Sequence, residues 1–215
     1  MSVKDPPPPA ENGPRDSFRT LAGPATAEIK VQRSRFVAYA APVADESAAN
    51  GFLDELRRNH HDARHVAYAW RLGRQAPYRD KKHDDGEPGG TAGEPILTAI
   101  VRADLTQVVV GVVRYFGGVK LGTGGLGRAY GQAADEALTA AVTRIVLEGR
   151  EFSLSFPYAH QKTVTRYLQL CRGEVRAETY AEAVAWRVWL PHSTWRRFSE
   201  LLQEASAGAV KLDAP

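Results

Sequence analysis

Residues 108–141 read VVVGVVRYFGGVKLGTGGLGRAYGQAADEALTAA, and the fold turns on them. The run 108–113 is almost wholly branched aliphatic, which suits a strand buried on both faces. Strand character ends at Arg114 and Tyr115, and a loop containing Gly117, Gly118, Gly122, Gly124 and Gly125 follows. Leu126, Ala129, Tyr130, Ala133, Ala134, Ala137, Leu138 and Ala141 then recur at three- and four-residue spacing. That spacing predicts an amphipathic helix with one apolar face. Strand, glycine loop and helix in this order aim backbone N–H groups and a positive dipole end at one place.

Two features break local rules there. Gly127 and Gly131 fall inside the predicted helix, each at a cost of about 1 kcal/mol against alanine. Arg128 lies in the first helical turn, where the dipole disfavours a cation. An anion held between the helix N-terminus, with Thr123, Gly124 and Gly125, and the side chains of Arg114, Lys120 and Arg128 accounts for both. Tight packing of helix on strand also demands glycines, and that reading stays open beside the first.

Around this centre the composition is that of an ordinary globular chain: 215 residues, 43% hydrophobic and 25% charged. A net charge of +3 and a pI near 9.0 permit an acidic partner such as nucleic acid without requiring one. Cys171 is the sole cysteine, so no intramolecular disulfide forms and a reducing compartment is expected. With no apolar run near the roughly 20 residues of a membrane span and no secretion signal, a cytoplasmic location is expected.

Upstream, residues 1–26 are rich in proline and polar groups, with Pro6, Pro7, Pro8 and Pro9 in a row, and read as a disordered tail. Strands are predicted over 27–31 and 35–42. A helix capped by Asp45 follows to Asn59, with Phe52, Leu53 and Leu56 inward. A strand over 66–72 places Tyr68 and Trp70 on one face. A long polar connection, 73–93, contains DKKHDDGEPGGTAG; loops of this length are commonly functional or disordered. Pro95 suits the first turn of a short helix to about Ala103.

Downstream of Ile145 the pattern changes. A strand over 150–156, a helix over 159–172 stopped by Gly173, strands over 174–180 and 182–190, a helix over 193–205 and a strand over 209–212 give the order βαββαβ. That order predicts a ferredoxin-like sandwich. The chain is therefore read as α+β, with an N-terminal domain over 27–146 and a ferredoxin-like domain over 147–215.

Two blocks carry a resemblance to a known family: DDGEPGGTAGEPIL at 84–97 and VVRYFGGVKLGTGGLGRAY at 112–130, with SRF at 34–36, DARH at 62–65, and Ala69 and Trp70 upstream. Together they resemble the signature of the IMPACT family, in its bacterial YigZ-type branch. Asp84, Asp85, Gly86, Glu87, Pro88, Gly90, Thr91, Ala92 and Gly93 match the first block. Arg114, Tyr115, Gly117, Gly118, Leu121, Gly122, Thr123, Gly124, Gly125, Leu126, Ala129 and Tyr130 match the second. The resemblance implies an N-terminal domain similar to the second domain of ribosomal protein S5 and a C-terminal domain similar to the last domain of elongation factor G. Eukaryotic members are translation regulators acting through protein partners. They carry a further N-terminal module that this chain lacks, so that partner role does not transfer. For bacterial members nucleic-acid binding is the expectation.

Three functional readings follow. The first is a non-catalytic RNA- or ribosome-binding protein, of which a translation-related regulator is one form, that engages phosphate through the glycine loop. Arg35, Arg64, His65, Arg114, Lys120 and Arg128 supply its charge, and Tyr68, Trp70, Tyr115 and Tyr130 are candidate stacking surfaces. The second is an enzyme or sensor for a small phosphorylated ligand, with Asp84, Asp85 and Glu87 holding a divalent metal. No nucleophile–base pair is evident for it, and Cys171 sits on an apolar stripe. The third makes the acidic loop a lock on the basic one, pairing Asp84, Asp85 or Glu87 with Arg114, Lys120 or Arg128. The first is preferred, with no cofactor and no bound metal expected; a protein partner is the other candidate.

Overall fold

A computed structural model describes residues 16–213. The chain divides into two compact units, one spanning Phe18–Val146 and the other running from Leu147, with Asp16 and Ser17 joined to the latter. In chain order the elements up to Leu147 are β1 (Ser17–Leu21), β2 (Ala25–Val31), β3 (Ser34–Pro42), α1 (Glu46–Asn59), β4 (His65–Leu72), β5 (Arg79–His83), α2 (Gly93–Arg102), β6 (Val108–Tyr115), α3 (Gly122–Ala140) and β7 (Thr143–Leu147). Among the described residues the whole molecule is a mixed α/β protein with three sheets and five α-helices.

The larger unit is built on a five-stranded sheet in the order β2-β3-β6-β4-β5, every neighbouring pair antiparallel. The valine run supplies its central strand. Side chains alternate across a strand, so Val108, Val110 and Val112 join Ile96, Ile100, Tyr130 and Ala133 beneath α2 and α3. Val109 packs on the opposite face with Leu53 and Trp70, and Val113 packs there with Leu56. Being buried on both sides is what an unbroken aliphatic strand is for. Asp45 caps α1, its side chain accepting the Ala48 N–H at 2.8 Å.

Two sequence expectations are corrected here. Ordered structure begins before residue 27: β1 pairs with β7 in a two-stranded sheet, and Leu21 is fully buried in the α2–α3 core. The rest of the expected tail, residues 1–15, lies outside the described residues. The connection 73–93 is not a single loop, because β5 forms inside it and closes the sheet edge beside β4. Its sequence, RDKKH, carries no apolar alternation, since all five residues are exposed. Charges replace burial on both faces: Arg79 and Lys81 pair with Glu46 of α1, and Lys82 with Glu94 of α2. Such an edge resists pairing with another chain.

The second unit comprises β8 (Gly149–Phe156), a single 3₁₀ turn (Tyr158–His160), α4 (Gln161–Leu170), β9 (Glu174–Tyr180), β10 (Val184–Pro191), α5 (Trp195–Ser206) and β11 (Lys211–Asp213). Its antiparallel sheet runs β11-β8-β10-β9. Phe152, Leu154, Phe156, Val184, Trp186, Val188 and Leu190 face Val164, Leu168, Phe198 and Leu202 of the two helices. The free thiol of Cys171 is buried in this core. Asp16 is tied to the unit through its carbonyl, which accepts the Glu148 N–H at 2.6 Å, and its carboxylate, which accepts the Ser193 N–H at 2.6 Å. Among the described residues no helix is long and apolar enough to cross a membrane.

Candidate functional site

β2 and β6 end, and β3 and β4 begin, at one end of the large sheet: Arg114 lies between Phe36 and His65 in the ladder. β5 also ends there, at His83 beside Tyr68. The acidic segment 84–92 and the glycine segment 116–121 therefore emerge together.

The acids are spent inside the protein. Asp84 accepts the Gly90 N–H at 2.8 Å on one oxygen and the Ala92 and Gly93 N–H groups, both at 2.9 Å, on the other. It thus satisfies the N-terminus of α2, whose own cap residue Ala92 makes no side-chain bond. Burial pushes the Asp84 carboxyl upward, but the three N–H donors outweigh it and hold the group below its usual range. The Asp85 carboxylate accepts the Val66 N–H at 2.7 Å, and its carbonyl accepts a 2.7 Å bond from His65 Nδ1–H. Gly93 allows α2 to start against β5; a Cβ there would stand 2.7 Å from the His83 nitrogen.

Glu87 reaches furthest inward. Its Oε1 accepts from Arg114 Nη1 at 2.7 Å and from the Tyr130 hydroxyl at 2.8 Å, and the Arg114 and Glu87 side chains are only 7% and 4% exposed. The Arg114 guanidinium carbon lies 5.5 Å from the Phe36 ring centre and 5.4 Å from that of Phe116. Its Nε has no hydrogen-bond partner, leaving aromatic faces as its neighbours. Burial beside the Glu87 carboxylate drives the Tyr130 hydroxyl pKa strongly upward, so this phenol stays a donor. Arg114 is thus part of an interior lock, not an exposed cation, because the carboxylate it pairs with is buried with it. Tyr130, considered for stacking, is fully buried, and Tyr68 and Trp70 are buried as well, at 8% and 2% exposure.

The remaining cations stand differently. Lys120, Arg64 and Arg128 are exposed and pair with no carboxylate among the described residues, and Arg33 of the β2–β3 turn joins them. The segments bearing Arg33 and Lys120 meet backbone to backbone: a Cβ on Gly117 would fall 2.1 Å from the Arg33 carbonyl. Gly118 and Gly122, at φ of +85° and +68°, have open space where a side chain would project. Thr123 and Gly124 are exposed, and no side chain caps α3. Arg128 lies by that first turn, its Nη1 3.6 Å from where Gly124 would carry a Cβ. Gly127 and Gly131 serve packing instead: they face Pro95 of α2 at 3.7 and 3.5 Å. Arg35 is on the α1 side of the sheet, its guanidinium 4.2 Å above the Tyr115 ring and 3.6 Å from Glu28.

Asp84, Asp85 and Glu87 do not converge on one point, and no group of three His, Cys, Asp or Glu side chains suited to a metal ion occurs among the described residues. The alternative with a carboxylate-bound metal therefore finds no converging donor set among the described residues.

Sequence reasoning passed over a second polar cluster, at the end of α1. His60 bonds the Tyr115 hydroxyl through Nδ1 at 2.7 Å and the Tyr39 hydroxyl through Nε2 at 2.8 Å. Tyr115 donates onward to Asp62 at 3.2 Å. Burial depresses the His60 pKa, Asp62 opposes this and Arg35 reinforces it. Also missed were Arg33 and Phe116. The available signal was an aromatic residue followed by two glycines, which supply no side chains to cover it from that side.

Comparison with known proteins adds the lineage. The Impact N-terminal domain family matches residues 32–138. The IMPACT family member YigZ of Escherichia coli is 34% identical over 200 residues, covering 92% of this chain and 97% of that protein. The chain belongs to the IMPACT family. A Thermus thermophilus IMPACT family member is 45% identical over 161 residues, covering 75% of this chain and 86% of its own. A crystal structure described only as that of a hypothetical protein superposes with a TM-score of 0.65 at 33% identity, covering 94% of this chain and 98% of that one. The family match spans the acidic segment, β6, the glycine segment and most of α3, so the lock and the open cationic end fall within its IMPACT-type region.

Proposed function

We propose that this IMPACT-family protein is a non-catalytic, cytoplasmic RNA- or ribosome-binding regulator of translation, and that the sheet end around residues 116–124 holds phosphate. One observation carries the reading: Asp84, Asp85 and Glu87 are consumed by internal donors, whereas Arg33, Arg64, Lys120 and Arg128 form no ion pair among the described residues. Uncompensated cations beside open backbone favour a polyanion. In the same reading the larger unit is similar to the second domain of ribosomal protein S5. The second, with strand order β11-β8-β10-β9, is ferredoxin-like and similar to the last domain of elongation factor G. The contribution of Arg114 and His65 is indirect: they position the surface from inside.

The test is RNA binding across a salt series with wild type and Arg33→Ala plus Lys120→Ala. The expected result is affinity that falls steeply with salt and is weakened in the double variant. Binding insensitive to both would remove the phosphate contacts from the reading.

A further inference from the structure

Phe116 is unusual for its surroundings. It is 48% exposed, and Val119 three positions on is 37% exposed, in a segment whose other residues are Gly117, Gly118, Lys120 and Leu121. A large apolar ring costs free energy in water, and here the fold fixes it in place. The Arg114 guanidinium lies against one side of the ring at 5.4 Å and is itself gripped by Glu87, which Tyr130 also holds. Glycine at 117 presses the following backbone onto Arg33, so the ring leaves a short, anchored stem. What the buried lock presents to solvent is therefore an oriented aromatic face, with Arg33 on the abutting β2–β3 turn and Lys120 four positions further along the same segment.

We propose that Phe116 is a stacking platform for an unpaired RNA base, with Arg33 and Lys120 contacting the phosphates on either side. This rests on the RNA-binding reading and narrows it to single-stranded RNA. The charge around the ring selects a polyanion, and the exposed ring selects one with flat apolar faces to offer. In a duplex those faces are stacked on each other, whereas an unpaired nucleotide can splay its base onto a protein aromatic. Prior fixation of the ring by Arg114 lowers the ordering cost of binding.

The experiment is fluorescence anisotropy of a labelled mixed-sequence single-stranded RNA and of the blunt duplex of the same sequence, using the full chain. Wild type is expected to favour the single strand. Phe116→Leu, which keeps apolar bulk without a π face, is expected to weaken single-strand binding about tenfold while leaving duplex binding and the melting temperature unchanged. Phe116→Trp is expected to restore it. Equal affinity of Phe116→Leu and wild type for the single strand, or an equal loss on strand and duplex, overturns the platform. If Lys120→Ala still weakens binding in that case, the RNA-binding reading survives. If wild type binds neither RNA at any salt, that reading fails and the platform goes with it.

Discussion

Glu87 shows how one residue ties two segments far apart in sequence. Its carboxylate is, among the described residues, the only counter-charge of a buried arginine, and the partner of a phenol that Phe36 meets edge-on at 5.1 Å. Removing one member of a buried ion pair strands the other, at about 3–5 kcal/mol. Glu87→Ala and Arg114→Met are each expected to lower stability by that order in denaturant unfolding. The double variant should cost clearly less than their sum; simple additivity would mean that the two charges do not act together. His60 poses a separate residue-scale question, since the groups facing it are Tyr39, Tyr115, Asp62 and Arg35. Its folded pKa lies below the unfolded value of about 6.5. In the window between them the unfolded chain binds more protons, so stability is fully present above the unfolded value and is lost on acidification. The melting temperature should therefore fall from about pH 7 to about pH 5, and His60→Phe should fall less steeply. Parallel pH profiles would show that His60 carries none of the dependence.

At the scale of elements, the glycines of the 108–141 stretch divide into two kinds. Gly117 brings the turn between β2 and β3 into backbone contact with the segment leading to α3. Gly117→Ala sets a methyl 2.1 Å from backbone atoms that cannot turn aside. The expected loss is about 1–3 kcal/mol of stability, read by thermal unfolding. Gly131 lies on a helix face where a Cβ would meet Pro95 at an ordinary 3.5 Å. Gly131→Ala should thus raise stability by about 1 kcal/mol through helix propensity; a loss there would mean that the α2–α3 contact is closer than these distances indicate. The rule-breaking glycines inside α3, for which the sequence left both an anion site and tight packing open, face Pro95 of α2 and are explained by packing.

For the whole molecule a net charge of +3 is too small to announce a nucleic-acid protein. What matters is where the counter-charges go. If Arg33, Arg64, Lys120 and Arg128 all contact phosphates of a single strand, the slope in log affinity against log salt should be about −3. Lys120→Ala should reduce its magnitude by somewhat less than one. An unchanged slope would place Lys120 outside the contact.

The buried central strand, the helix after it and the family motifs were legible in sequence because each depends on local periodicity or on residues close along the chain. β5 was not, because an edge strand stabilised by cross-element ion pairs needs no apolar alternation. Nor could sequence separate Arg114 from Lys120, two cations six positions apart in one loop-bearing stretch. Which of them meets a buried carboxylate is decided by the register of β6 against β4 and by the path of the acidic segment. Only the tertiary fold brings Glu87 beneath one cation and leaves the other, with Phe116, facing water.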